Sequence, residues 1–282
     1  MAIGGEDDGD DIDIEINPVG ALLTEDVGAE AEKVEKGKNI AAESETIHEL
    51  QHHHLHSIES TVVIRQLRSL GLSFQLWPAA TTLVVVLDRH RSQPTASPLS
   101  PILSALRGES GRRLRILELG AGTGLVGIAA AATLCADVTL TDLPHVLPNL
   151  HFNADANSEV VAKNGGSVVV AALSWGSDDD MEAIGREYDL ILGSDVVYHD
   201  HLYDPLLRTL NFFLLGGEKR ILFVMAHLKR WKKESAFFKR ARKVFDVDVI
   251  HVEDPPSGSR IGVVVFRFAA KLQKSEAMEI GN

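Results

Sequence analysis

A single cysteine, Cys135, is all the chain holds, so no disulfide can form within it. That scarcity suits a reducing compartment and excludes the small disulfide-stapled class. Long apolar runs are missing as well. Residues 76–87 fall short of membrane-spanning length and contain Trp77-Pro78, so no membrane anchorage is expected. Aromatic residues make up only 6% of the chain, whereas Val, Leu, Ala and Ile abound, a composition suited to parallel strands covered by helices on both faces. Positive charge is short too, with a net −12 over 282 residues. The deficit is concentrated: residues 1–46 carry fourteen acids against three lysines, and the rest is close to neutral. The folded part therefore has no overall basic field for nucleic acid. Residues 1–13 are acidic where a secretion signal needs a basic opening, so a soluble protein of the cytoplasm, with access to the nucleus, is expected.

The acidic stretch has the composition of a disordered, solubilising extension. It runs into a His-rich tract whose His48-Glu49-Leu50-Gln51-His52 matches H-E-x-x-H, a motif in which one helix aims two histidines at a zinc ion. The histidines continue as His53, His54 and His56, and no third ligand follows on a packed element. The match is an accident of a biased tract, and no metal site is expected. Residues 1–56 are accordingly assigned to a tail, 57–272 to one domain and 273–282 to a second short tail.

Within that domain one passage carries most of the chemistry. Residues 115–119 (R-I-L-E-L) read as a short buried strand, Gly120, Gly122 and Gly124 as a tight turn, 123–134 as an apolar helix, and 138–141 as a second strand ending at Asp142. Strand, glycine turn, helix, strand and acid form a nucleotide-cradling βαβ unit, whose glycines let backbone approach the ligand. Two cofactor types fit it. Gly122 to Gly127 satisfies G-x-G-x-x-G, and Asp142 stands about twenty residues on, as a dinucleotide site asks. Glu118 tips the balance, because a carboxylate just before the turn repels a pyrophosphate and welcomes a cationic amino-acid end. S-adenosylmethionine has such an end, a ribose for Asp142, and no phosphate.

Beyond Asp142 the alternation persists, with helices near 145–153, 202–214 and 231–244 and strands at 167–171, 188–193, 220–225, 247–252 and 261–268. Upstream, 61–65 is strand-like, Pro78 opens a helix, and 92–101 is a proline-rich connector before a short helix at 102–106. The last two strands are joined by Asp254-Pro255-Pro256-Ser257-Gly258, too short for a parallel crossover, so they must form an antiparallel hairpin. The expected fold is α/β: a Rossmann-like, doubly wound seven-stranded sheet with a C-terminal antiparallel hairpin. Cys135 is expected on the inner face of the helix after the glycine turn. The basic cluster from Lys229 to Lys243 reads as the wet face of a helix whose apolar side is Ala236, Phe237 and Val244.

Four passages in order give the chain a family likeness: Leu76-Trp77-Pro78-Ala79-Ala80; Glu118 to Gly127; Leu173-Ser174-Trp175-Gly176; and residues 190–198, ending Asp195-Val196-Val197-Tyr198. Together they resemble the family-16 branch of the seven-β-strand, S-adenosylmethionine-dependent methyltransferases, from about residue 61 to 268. The resemblance implies methyl transfer to a lysine side chain of a protein, chaperones and AAA-type ATPases being substrates in that family, by an enzyme working as a monomer. It implies cofactor contacts at Trp77, Glu118, Gly120, Ala121, Gly122, Asp142, Leu143, Trp175 and Ser194, with Ser194 standing where a smaller residue is usual. Asp195 would orient the incoming lysine ammonium and Tyr198 shape its channel. His199 and His201 are left aside as loop histidines. Methylation of a small molecule or another side chain by the same fold, or a cofactor-binding module without catalysis, remain the alternatives.

Overall fold

The computed structural model describes residues 49–107, 112–217, 219–255 and 262–271. The tail expected over 1–56 lies outside these residues up to 48, as does the one expected over 273–282.

The described chain opens with a hairpin. β1 (Glu49–Leu55) and β2 (Ser60–Gln66) pair antiparallel, with Glu49 opposite Gln66 and Leu55 opposite Ser60. Order therefore begins before residue 57, and the His-rich stretch assigned to a tail is a strand from residue 49. The reason is alternation: His52 and His54 face solvent while Leu55 is fully buried, and β2 satisfies the backbone of a tract rich in polar side chains. Of the zinc match, Glu49 to His52 lie in this strand, and His48 lies outside the described residues.

Seven further strands build the main sheet: β3 (Arg115–Leu119), β4 (Asp137–Asp142), β5 (Ser167–Ala172), β6 (Leu190–Ser194), β7 (Leu222–Leu228), β8 (Phe245–Val252) and β9 (Val263–Ala270). Their order is β5-β4-β3-β6-β7-β9-β8, parallel except where β9 runs against β7 and β8. The expected closing hairpin is present, and β9 enters the sheet between β7 and β8. Helices α1 (Pro78–Ser92), α2 (Ser100–Arg107), α3 (Leu125–Leu134), α4 (Leu147–Ala156), α5 (Ser158–Lys163), α6 (Asp178–Ile184), α7 (Tyr203–Leu215) and α8 (Ser235–Val244) flank it. The sequence pattern does not announce α5 and α6, whose six and seven residues are too few to establish a period.

Alternate residues of one strand feed separate apolar clusters. Ile116, Leu190, Leu192 and Val224 join α1, α2 and α3, whereas Leu117, Leu119, Ile191 and Phe223 join α6, α7 and α8. Every residue of α3 is buried, as its apolar circumference requires. Cys135 does not sit on that helix's inner face. It follows the last turn with φ of 54°, half-buried, and its sulfur accepts from Arg91 at 3.4 Å. On α8 the buried side is Phe237, Phe238 and Ala241; Ala236 is exposed, because Phe238 turns onto Phe266 of β9 at 4.7 Å between ring centroids.

Chain order runs outward from β3 through β4 to β5, then returns to β6 on the other side of β3. The carboxyl ends of β3 and β6 therefore border a crevice at the point where strand order reverses, the position at which such sheets bind ligands.

Candidate functional site

Three alternate residues in the loop that leaves β3 have positive φ: 60° at Gly120, 56° at Gly122 and 84° at Gly124. At Gly120 a Cβ would stand 2.8 Å from Cζ2 of Trp175 and 3.2 Å from Cγ1 of Val196, so glycine is required by both conformation and space. Trp175, from the loop after β5, is thereby placed against the turn, as the sequence suggests for an apolar wall beside a ligand. Ala121 is buried and its N–H bonds to the Thr141 carbonyl at 2.9 Å, which locks the turn to the end of β4.

Asp142 ends β4 beside that turn. Its Oδ2 accepts from the Gly122 N–H at 2.7 Å and its Oδ1 from the Leu143 N–H at 2.8 Å, leaving further lone pairs on both oxygens. Burial raises its pKa above the usual carboxylate range, against the pull of these two N–H groups and of His145. Leu143 itself is 42% exposed at the rim.

Glu118 lies deeper than its expected role implies. Its side chain does not line the crevice: the residue is 1% exposed and its Oε2 accepts from the Gly127 N–H at 2.9 Å, in the first turn of α3. Burial, joined by the negative field of Asp142, pushes its carboxyl up to about 8 despite that hydrogen bond. Burial thus disfavours the charged form of both neighbouring acids.

The segment before α1 closes over the turn. Leu76 donates its N–H to Oε1 of the buried Gln66 at 2.6 Å, Leu67 donates to the Phe74 carbonyl at 2.9 Å, and the Ser73 carbonyl lies 3.1 Å from where a Cβ of residue 122 would stand. Trp77 rides on this strap, half-buried, its Nε1 donating to the Leu72 carbonyl at 3.0 Å. Behind the strap, asparagines replace a missing strand neighbour for β2. Val63 and Arg65 donate their N–H groups to Asn157 and Asn153, each at 2.8 Å, and the amide nitrogens of those asparagines return bonds to the carbonyls of residues 63 and 65. Asn153 also donates to the Thr123 carbonyl at 2.9 Å, so one side chain joins the hairpin to the glycine turn. The sequence carries no signal for this ladder beyond the asparagines at 149, 153 and 157, spaced by one helical turn.

On the other wall, Ser194 ends β6, half-buried, and Asp195 follows with φ of 52°. The resemblance implies that the Asp195 carboxylate orients an incoming lysine ammonium. The structure has that carboxylate already engaged: Oδ1 accepts from the Leu228 N–H at 2.9 Å and from Nη1 of Arg230 at 3.2 Å, and Oδ2 accepts from Nη2 of Arg230 at 2.9 Å. Arg230 belongs to the basic cluster read as a wet face, yet its side chain is 13% exposed and its guanidinium stands 5.1 Å from the Trp77 ring. Tyr198, half-buried, has its phenol pKa raised first by burial and then by the Asp142 charge, which brings the two expected site residues within electrostatic reach. His199 and His201 are exposed and stack on each other at 5.4 Å.

Residues 57–244 match a family described as lysine methyltransferase. Protein N-lysine methyltransferase METTL21A of Danio rerio is 32% identical over 206 residues, covering 71% of this chain and 84% of that protein. Its Mus musculus counterpart is 34% identical over 68% of this chain and 78% of its own length. EEF1A lysine methyltransferase 3 of Xenopus tropicalis is 31% identical over 70% of this chain and 76% of its own.

Proposed function

The chain belongs to the lysine methyltransferase family, and from that premise we propose that it transfers the methyl group of S-adenosylmethionine to a lysine side chain of a protein. One observation carries the choice of donor: two buried acids, Glu118 and Asp142, whose pKa values burial raises, with the Asp142 charge adding to the shift of Glu118, stand beside a cradle that a Cβ at residue 120 would fill. A ligand with a sulfonium and an ammonium relieves that pair, whereas a pyrophosphate aggravates it. The residues present therefore fit the donor. Gly120, Ala121 and Gly122 would offer backbone to its methionine end and Asp142 its spare lone pairs to the ribose. Trp175 and Trp77 would supply apolar walls, with Leu143 and Ser194 at the margins and Glu118 acting from beneath, without direct contact.

When bound, the donor supplies an electrophilic methyl on sulfur. The protein's part is then to hold a neutral amine in line with that methyl, a task of positioning more than of acid–base help. Tyr198 narrows the approach beside Asp142. The substrate is a protein; EEF1A, after which one of the relatives is named, is a direct first choice to offer, with chaperones and ATPases as further candidates. Action as a monomer in the cytoplasm, with entry to the nucleus, belongs to the same proposal.

Calorimetry separates the donors: adenosylhomocysteine binds and a nicotinamide dinucleotide does not. Incubation of a soluble cell extract with the protein and donor labelled on its methyl group transfers label to lysine in a discrete protein band. Binding of the dinucleotide alone would overturn the reading; adenosylhomocysteine binding without any label transfer would reduce the chain to a non-catalytic module.

A further inference from the structure

A methyltransferase acting on lysine meets an electrostatic problem at its own substrate channel. The attacking nitrogen must present a lone pair, yet a free carboxylate beside it raises the ammonium's pKa above about 10.4 and holds the proton on. Asp195 stands at the carboxyl end of β6, beside Gly120 through its neighbour Val196, where such a carboxylate would act. It is not free. Arg230 covers both its oxygens from the far end of β7, Leu228 takes a further lone pair, and the guanidinium also donates to the Leu228 carbonyl at 3.1 Å. Arg230 is itself held by its own N–H, which donates to Oε2 of Glu234 at 3.0 Å. Breaking a bidentate pair buried to this degree is costly, so an arriving lysine does not displace it.

We propose that Arg230 is a positioning residue for the reaction: it neutralises Asp195 at the crevice wall so that the substrate amine can shed its proton there. The proposal rests on the lysine-methylation reading above. The other groups facing the pair are His227 of β7, with Nδ1 3.8 Å from Oδ1 of Asp195, and Glu234, whose Oε2 bonds to His227 Nε2 at 3.1 Å. The strap contributes the uncharged Trp77 ring over Arg230. In the transfer itself the amine proton leaves to solvent first. The nitrogen lone pair then forms the N–C bond as the C–S bond breaks, its electron pair remaining on sulfur. Arg230 touches neither reacting atom and acts through Asp195.

The test is the pH profile of kcat, measured at saturation on the protein that takes up label in the cell extract and is purified from it. In Arg230→Gln the rate at pH 7.5 falls about tenfold, and the rising limb of the profile moves up by about one pH unit. The double variant Asp195→Asn/Arg230→Gln, which removes the carboxylate too, brings the limb back to its wild-type place. Arg230→Lys keeps the charge and keeps the limb, which preserves the test should Arg230→Gln fail to fold. Melting midpoints and adenosylhomocysteine affinity confirm that each variant is folded and binds the cofactor product. A limb unmoved in Arg230→Gln, displaced in Arg230→Lys, or not restored in the double variant overturns the proposal. A wild-type protein that labels no lysine overturns the functional reading itself, a separate outcome.

Discussion

The Gly127 N–H donates to Oε2 of Glu118 at 2.9 Å, and a Cβ on residue 127 would stand 2.6 Å from that oxygen and 2.1 Å from Cδ2 of Leu140. The first turn of α3 and the ends of β3 and β4 are pressed together until a glycine hydrogen is all that fits. That contact also helps to take Glu118 out of water.

Gly127→Ala is therefore expected to destabilise the domain by about 2 to 3 kcal/mol, since neither a strand side chain nor the helix start can give way cheaply. Denaturant unfolding reads it as a lower midpoint at unchanged slope. A midpoint equal to wild type would mean the helix can move away from β4 at no cost.

Glu118 makes the ligand-free protein sensitive to pH. Its folded pKa, about 8, lies above its ordinary 4.5, so the native state binds this proton more tightly than the unfolded chain does. Its contribution is greatest below 4.5, declines as pH rises and is gone above 8. Between these limits the loss is on the order of a few kcal/mol. Melting midpoints of the ligand-free protein should fall from pH 5 to pH 8, and Glu118→Gln should flatten the decline. Parallel curves for the two proteins would show that Glu118 ionises without penalty.

Asp142→Ala removes the acceptor of the Gly122 and Leu143 N–H groups along with the partner proposed for a ribose. Affinity for adenosylhomocysteine should weaken by at least about tenfold, the worth of one charge-assisted hydrogen bond. Calorimetry on a variant shown by circular dichroism to be folded gives the answer; an unchanged Kd would remove Asp142 from the site.

Asn153 is fully buried and makes bonds to both the N–H and the carbonyl of Arg65 and to the Thr123 carbonyl. Asn153→Ala leaves these partners unsatisfied, at about 1 to 3 kcal/mol, and loosens the glycine turn as well as β2. Lower thermal stability accompanied by weaker adenosylhomocysteine binding is expected. Loss of stability with binding intact would confine Asn153 to the hairpin.

The strand, glycine turn and acid from Arg115 to Asp142 were legible because each instruction there is local. Alternating and continuous apolar runs set strand against helix, and positive φ demands glycine within a few residues of where it is needed. The closing hairpin was legible for the same reason, since the length of a connection limits how two strands can pair. The His-rich β1 was not, because composition suggested a tail while the pairing partner that makes it a strand lies beyond the following turn. Asp195 and Arg230 are 35 positions apart, and Asn153 and Arg65 are 88 apart; no spacing rule links either pair.

Local chemistry by itself pointed to Gly120, Gly122 and Asp142 as a cradle at the carboxyl edge of the sheet, while Trp175 and the Asp195-to-Tyr198 stretch were drawn to it only by the order of four motifs. The folded molecule decided their states: Glu118 buried with its proton held, Asp195 already paired, Trp77 laid over a guanidinium. Protonation and pairing follow from desolvation and from distances through space, and both exist only after remote segments have packed.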